Sequence, residues 1–127
     1  QSMKYKEDVC FMGRLSDEEL SVALSSALAL TYLPYFEGFG IPILEAFQTE
    51  TAVITSNVTS MPEVAADAAI LCDPKKVNEI AEAMLLIANH PEKRGDLIEK
   101  GKLRKQDFSW ERSANLLWNS IEKTLKN

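Results

Sequence analysis

Apolar residues fall in two alternating rhythms along these 127 residues. Short apolar runs at residues 9–12, 28–33, 52–55 and 68–72 read as strands. The run over residues 28–33 is apolar enough for a strand covered on both faces. Between the runs, apolar positions three and four apart predict helices. One runs to about residue 27, one from the glycine-rich segment to about residue 48, and a short one follows residue 60. Three more follow in succession, over about 77–89, 92–105 and 110–126. Ser16 with Glu19, and Ser60 with Glu63, have capping-box spacing, and Ser109 suits an N-cap. This alternation predicts an α/β fold, a partial Rossmann-like parallel sheet of about four strands with helices on both faces and a helical C-terminus. Such sheets bind ligands outside the carboxyl ends of their strands.

The segment most telling about chemistry lies at one of those ends and reads P-Y-F-E-G-F-G-I-P-I-L-E-A, residues 34–46. Gly38 and Gly40 allow close approach of the backbone to a ligand and φ angles other residues avoid. Pro42 suits a first helical turn, where a missing N–H costs nothing. The helix start presents unpaired N–H groups and partial positive charge, which suits a phosphate. Glu37 and Glu45, with seven residues between them, suit the hydroxyls of a sugar and a ribose. The Gly13-Arg14 turn after the first apolar run points at the same crevice.

Composition narrows the partners. The formal charge of −5, with no basic run, argues against nucleic acid. No apolar stretch is long enough to be a transmembrane segment, and no signal-peptide pattern opens the chain, so a cytoplasmic location is expected. Cys10 and Cys72 stand apart and are expected to be small buried residues. The length suits one domain, residues 1–127.

Further motifs surround the glycine segment: Asp17-Glu18-Glu19-Leu20, Val53 to Ser56, Pro62-Glu63-Val64, Asp67-Ala68-Ala69 and Phe108-Ser109-Trp110. Together they resemble the C-terminal half of the nucleotide-binding domain of retaining GT-B glycosyltransferases of the group-1, or family 4, type. The resemblance spans nearly the whole chain, and E-x(7)-E within E-G-F-G-x-P-x-L-E is its specific element. It implies an enzyme that transfers a sugar from a nucleotide-sugar donor to an acceptor glycan or lipid-linked sugar, as in polysaccharide biosynthesis. Glu37 would contact the donor sugar. Gly38, Phe39, Gly40 and Ile41 would hold sugar and diphosphate through the backbone, and Glu45 would accept from the ribose. Arg14 would lie beside the base, or be an ordinary surface residue. The family implies no cofactor and no metal, because protein groups stabilise the leaving diphosphate.

Two turns depart from the family pattern. Gln48-Thr49-Glu50-Thr51-Ala52 stands where Cys-Gly-Xaa-Pro is usual, and Ala65-Ala66 where a glycine is common. Neither change removes a ligand group. The family's first two strands, its diphosphate-gripping Arg and Lys, and its acceptor domain are not in this sequence. The expectation is a truncated donor-binding part, inactive alone, with a possible homo-oligomer through the incomplete sheet. The alternative is a non-catalytic α/β nucleotide-binding or assembly module. Elsewhere, Tyr35, Phe36 and Phe39 are expected to pack, and Trp110 and Trp118 to contact the core. His90 suits a helix end, and residues 92–105 a solvated face.

Overall fold

A computed structural model describes residues 4–126. Three parallel strands form its sheet: β1 (Ala29–Tyr32), β2 (Ala52–Ser56) and β3 (Ala69–Cys72), in the order β1-β2-β3. Register pairs Leu30 with Val53 and Val53 with Ala69. Six α-helices accompany the sheet among the described residues: α1 (Asp17–Ser26), α2 (Ile41–Gln48), α3 (Met61–Ala65), α4 (Val77–Asn89), α5 (Pro91–Arg104) and α6 (Trp110–Leu125).

The strands' period of two divides the core. Val53 and its strand neighbours Leu30, Tyr32, Ala69 and Leu71 pack with Ile43, Ala46 and Phe47 of α2 and with Met61 and Val64 of α3. The opposite face sets Ala52, Ile54 and Cys72 against Ala83 and Ile87 of α4 and Leu97 of α5. All five residues of β2 are buried, as a central parallel strand demands. Although α5 carries many charges, it still comes close to α2: a Cβ on Gly101 would stand 2.7 Å from the Phe47 ring. Its lysines reach across to neighbouring turns, Lys102 to Glu50 at 3.0 Å and Lys100 to Asp67 at 3.6 Å.

Four expectations need correction. The run at residues 9–12 is not a strand: Val9, Phe11 and Met12 are exposed, and among the described residues β1 pairs with β2 alone. An apolar run becomes a strand only when a neighbouring edge completes its hydrogen bonds. Trp110 and Trp118 are not core contacts, since α6 buries no residue and Trp110 is 89% exposed. Cys10 is exposed, whereas Cys72 is buried. Tyr35 and Phe36 point to solvent, and of that aromatic trio Phe39 alone packs on another ring.

Both departures from the family's turn pattern fall on left-handed backbone. Glu50 has φ 57° and Ala66 has φ 50°. Side chains thus stand at two positions where glycine is the unstrained choice.

Candidate functional site

Gly40 begins the site. It is the N-cap of α2 with φ 100° and ψ 48°, a conformation that favours glycine. Space makes the same demand, because a Cβ there would lie 2.6 Å from Met61 Cε. Gly38 differs: its φ is not in the left-handed region, and nothing lies within 4 Å of the position its Cβ would take. Its lack of a side chain leaves open surface beside the loop and is not a backbone requirement.

Glu37 folds toward that loop. Its Oε2 accepts from the Tyr32 hydroxyl at 2.9 Å, and its Oε1 accepts from the amides of Gly38 at 3.1 Å and Phe39 at 3.5 Å. The Tyr32 hydrogen bond, then those amides, hold its pKa below the ordinary carboxylate value. The Tyr32 phenol is pushed up, first by burial and then by Glu37.

A second device fixes the loop backbone. The Ser60 hydroxyl donates to the carbonyls of Glu37 at 2.9 Å and Phe39 at 3.2 Å. Ser60 has helical backbone angles, φ −82° and ψ −10°, its side chain makes no cap on α3, and the expected Ser60–Glu63 capping box does not form. The Ser16–Glu19 box does form, with Ser16 N to Glu19 Oε2 at 2.8 Å and Glu19 N to Ser16 Oγ at 3.3 Å. The side of the loop is braced by Phe39, which meets Phe108 edge-to-face at 5.9 Å between centroids. Phe108 lies under the Arg104 guanidinium, which also donates to the carbonyls of Val64 and Glu63 at 3.1 and 2.7 Å.

The start of α2 is uncapped, with Gly40 buried and Ile41 at the surface. No side chain caps it and its first turn carries no acidic residue. Among the described residues, no acceptor is found for the amides of Gly40 and Ile41. Ile41 itself is exposed. Unpaired N–H groups and the helix dipole make this a place for an anion.

Glu45 lies one turn further along α2. It lines a cleft of about 440 Å³ with Asp17, Leu20 and Ser21 of α1, Leu44 of α2, and Phe108. Glu37 does not line that cleft, so the two carboxylates are not brought into one cavity. Phe108 connects the two regions, touching Phe39 and walling the cleft. Arg14 is exposed, beside Gly13 at φ 68°. His90 is remote from this chemistry: it joins α4 to α5 and pairs with Glu92 at 2.9 Å.

Sequence reasoning missed Tyr32, Ser60, Arg104 and Phe108 as supports of the site. For Tyr32 a signal was present: a phenol ending an apolar strand, five residues before a carboxylate.

Comparison with known proteins places these features in a lineage. Residues 1–104 match the family described as glycosyl transferases group 1. O-antigen chain mannosyltransferase B of Escherichia coli is 37% identical over 88% of this chain and 29% of its own length. The MMP alpha-(1->4)-mannosyltransferase of Mycolicibacterium hassiacum is 32% identical over 79% of this chain and 25% of its own. Sucrose-phosphate synthase from Thermosynechococcus elongatus superposes with a TM-score of 0.82 at 27% identity, covering 95% of this chain and 31% of that one. The chain thus spans under a third of the length of these relatives. It belongs to the group 1 glycosyltransferases.

Proposed function

We propose that this chain is the donor-binding part of a retaining glycosyltransferase that moves a sugar from a nucleotide-sugar to a glycan or lipid-linked acceptor. The supporting observation is the uncapped start of α2, with the amides of Gly40 and Ile41 unengaged beside Glu37. The donor's diphosphate lies over those amides, where negative charge grows as the sugar leaves. Glu37 receives hydroxyls of the sugar, and Glu45 those of the ribose at the mouth of the cleft. Arg14 borders the base. Attack comes from the leaving-group side, preserving the anomeric configuration, and charge is met by amides and helix dipole with no metal required.

Transfer belongs to the whole protein, and this part alone binds without turnover. Two relatives are named as mannosyltransferases, which favours a mannosyl donor. The reaction is cytoplasmic. The exposed residue before β1, Leu28, and the edge of that strand left unpaired among the described residues suit self-association, which light scattering tests.

Amide NMR of the labelled chain, titrated with GDP, UDP and GDP-mannose, tests the assignment. Saturable shifts at Gly40 and Ile41 with at least one of these ligands support it. Unmoved loop signals with all three, at millimolar concentration, overturn it.

A further inference from the structure

Tyr32 stands at a boundary between the core and the loop. Its ring packs against the apolar cluster of α2 and α3, while its hydroxyl leaves the sheet and meets Glu37 Oε2 at 2.9 Å. The ring is held by packing, so the hydroxyl is a fixed point and not a mobile surface donor. Glu37, in contrast, follows Tyr35 and Phe36, both exposed, and precedes Gly38, which has open space beside it. Its local restraints are the Gly38 and Phe39 amides on Oε1, the second of them long at 3.5 Å. The phenol occupies one carboxylate oxygen, and the Gly38 and Phe39 amides reach only the other. A carboxylate oxygen accepts more than one hydrogen bond, so acceptor capacity remains in a set direction. Glycan hydroxyls are told apart by the direction from which they donate, so a fixed carboxylate discriminates where a swinging one does not.

We infer that Tyr32 is a positioning residue that fixes the Glu37 carboxylate for recognition of the donor's sugar. This inference rests on the donor-site reading above and adds to it the residue that sets sugar discrimination. Ser60 serves the same segment differently: it anchors the loop carbonyls, whereas Tyr32 aims the side chain.

The test compares wild type, Y32F, E37A and Y32F/E37A by calorimetric titration with GDP-mannose and with GDP, substituting the uridine pair if only uridine ligands bind. Y32F keeps the ring and removes only the hydroxyl. The expected result is a five- to tenfold fall, on the order of one net intramolecular hydrogen bond, in preference for the nucleotide-sugar over the bare diphosphate. Affinity for the diphosphate itself stays level. In the E37A background the same substitution has no further effect, because Tyr32 acts through Glu37. Carbon-detected NMR gives an independent reading: in Y32F the Glu37 carboxyl titrates closer to the ordinary value, since its principal hydrogen-bond donor is gone. Unchanged sugar preference in Y32F, or an equal loss on the E37A background, overturns the role of Tyr32 while leaving the donor site standing. Wild-type chain that binds none of these nucleotides overturns both.

Discussion

The hydroxyl of Ser60 donates to the carbonyl of Glu37 across 2.9 Å, joining residues 23 apart in sequence. The same oxygen reaches the Phe39 carbonyl at 3.2 Å, so one side chain holds both ends of the turn preceding Gly40. Ser60→Ala frees two loop carbonyls in a half-buried setting. It is expected to cost about 1 kcal/mol in chemical denaturation. Hydrogen exchange at residues 37–40 should accelerate while exchange in β2 keeps its wild-type rate relative to global unfolding.

The two glycines of the loop separate stability from binding. Gly40→Ala meets a left-handed φ, while the Met61 methyl 2.6 Å away ends a flexible side chain that can shift, so a loss of roughly 1–2 kcal/mol is expected, chiefly from backbone strain. Gly38→Ala meets neither, and its denaturation midpoint should stay within about 0.5 kcal/mol of wild type. The added methyl nevertheless stands on the open side of the loop, and nucleotide-sugar affinity should fall. Thermal melts and titrations of both variants check the contrast.

Ala66 and Glu50 offer the reverse experiment. Each holds φ near +50° to +60° with a side chain attached. Ala66→Gly should stabilise the chain by about 0.5–1 kcal/mol, the relief of strain exceeding the extra unfolded-state entropy of glycine. Glu50→Gly gains the same relief but loses the contact with Lys102 at 3.0 Å, so its gain should be smaller. Urea denaturation of the two variants decides.

Glu45 and Glu37 should fail differently when truncated. Glu45→Ala is expected to weaken binding of nucleoside diphosphate and nucleotide-sugar alike, by about 1–3 kcal/mol, as a ribose acceptor would. Glu37→Ala should reduce affinity for the nucleotide-sugar more than for the diphosphate. Parallel losses in both variants, measured calorimetrically, would reverse the assigned roles.

Acid should loosen the loop before the sheet. The folded pKa of Glu37 is depressed, so its contribution is complete above the ordinary carboxylate pKa and disappears as pH falls through the lower folded value. Glu19, lowered by Ser16, behaves with the same sign. Melting temperature followed downward from neutrality should decline in wild type, and the slope should be shallower in Glu37→Gln. Identical slopes would show that Glu37 carries no such linkage.

What the sequence disclosed was mostly local. The Ser16–Glu19 box, the Ser109 cap and the α4 boundaries depend on contacts within one turn and were readable from spacing. Ser60 with Glu63 carried the same spacing, yet Ser60 takes helical backbone angles where a capping box needs an extended N-cap, and spacing does not report φ and ψ. Residues 9–12 had strand composition, but pairing depends on an edge that composition does not report. The helix over 110–126 was legible, but Trp110 and Trp118 read as core contacts although α6 buries no residue, because helical spacing does not report whether a partner surface is there. The glycine turn was legible because Gly40 answers two demands at once, φ and space, and only one residue type meets both. The supports contributed by Arg104 and Phe108 come from beyond residue 100, so no local window could join them to the loop.

Tyr32 is shared between the protein's interior and its rim. Repacking around its ring, at Leu30 or Met61 for example, would tilt the phenol and with it the carboxylate it steers. If Glu37 receives the donor's sugar as proposed, a mutant library aimed only at thermal robustness of the interior would shift sugar preference with every residue at the rim untouched.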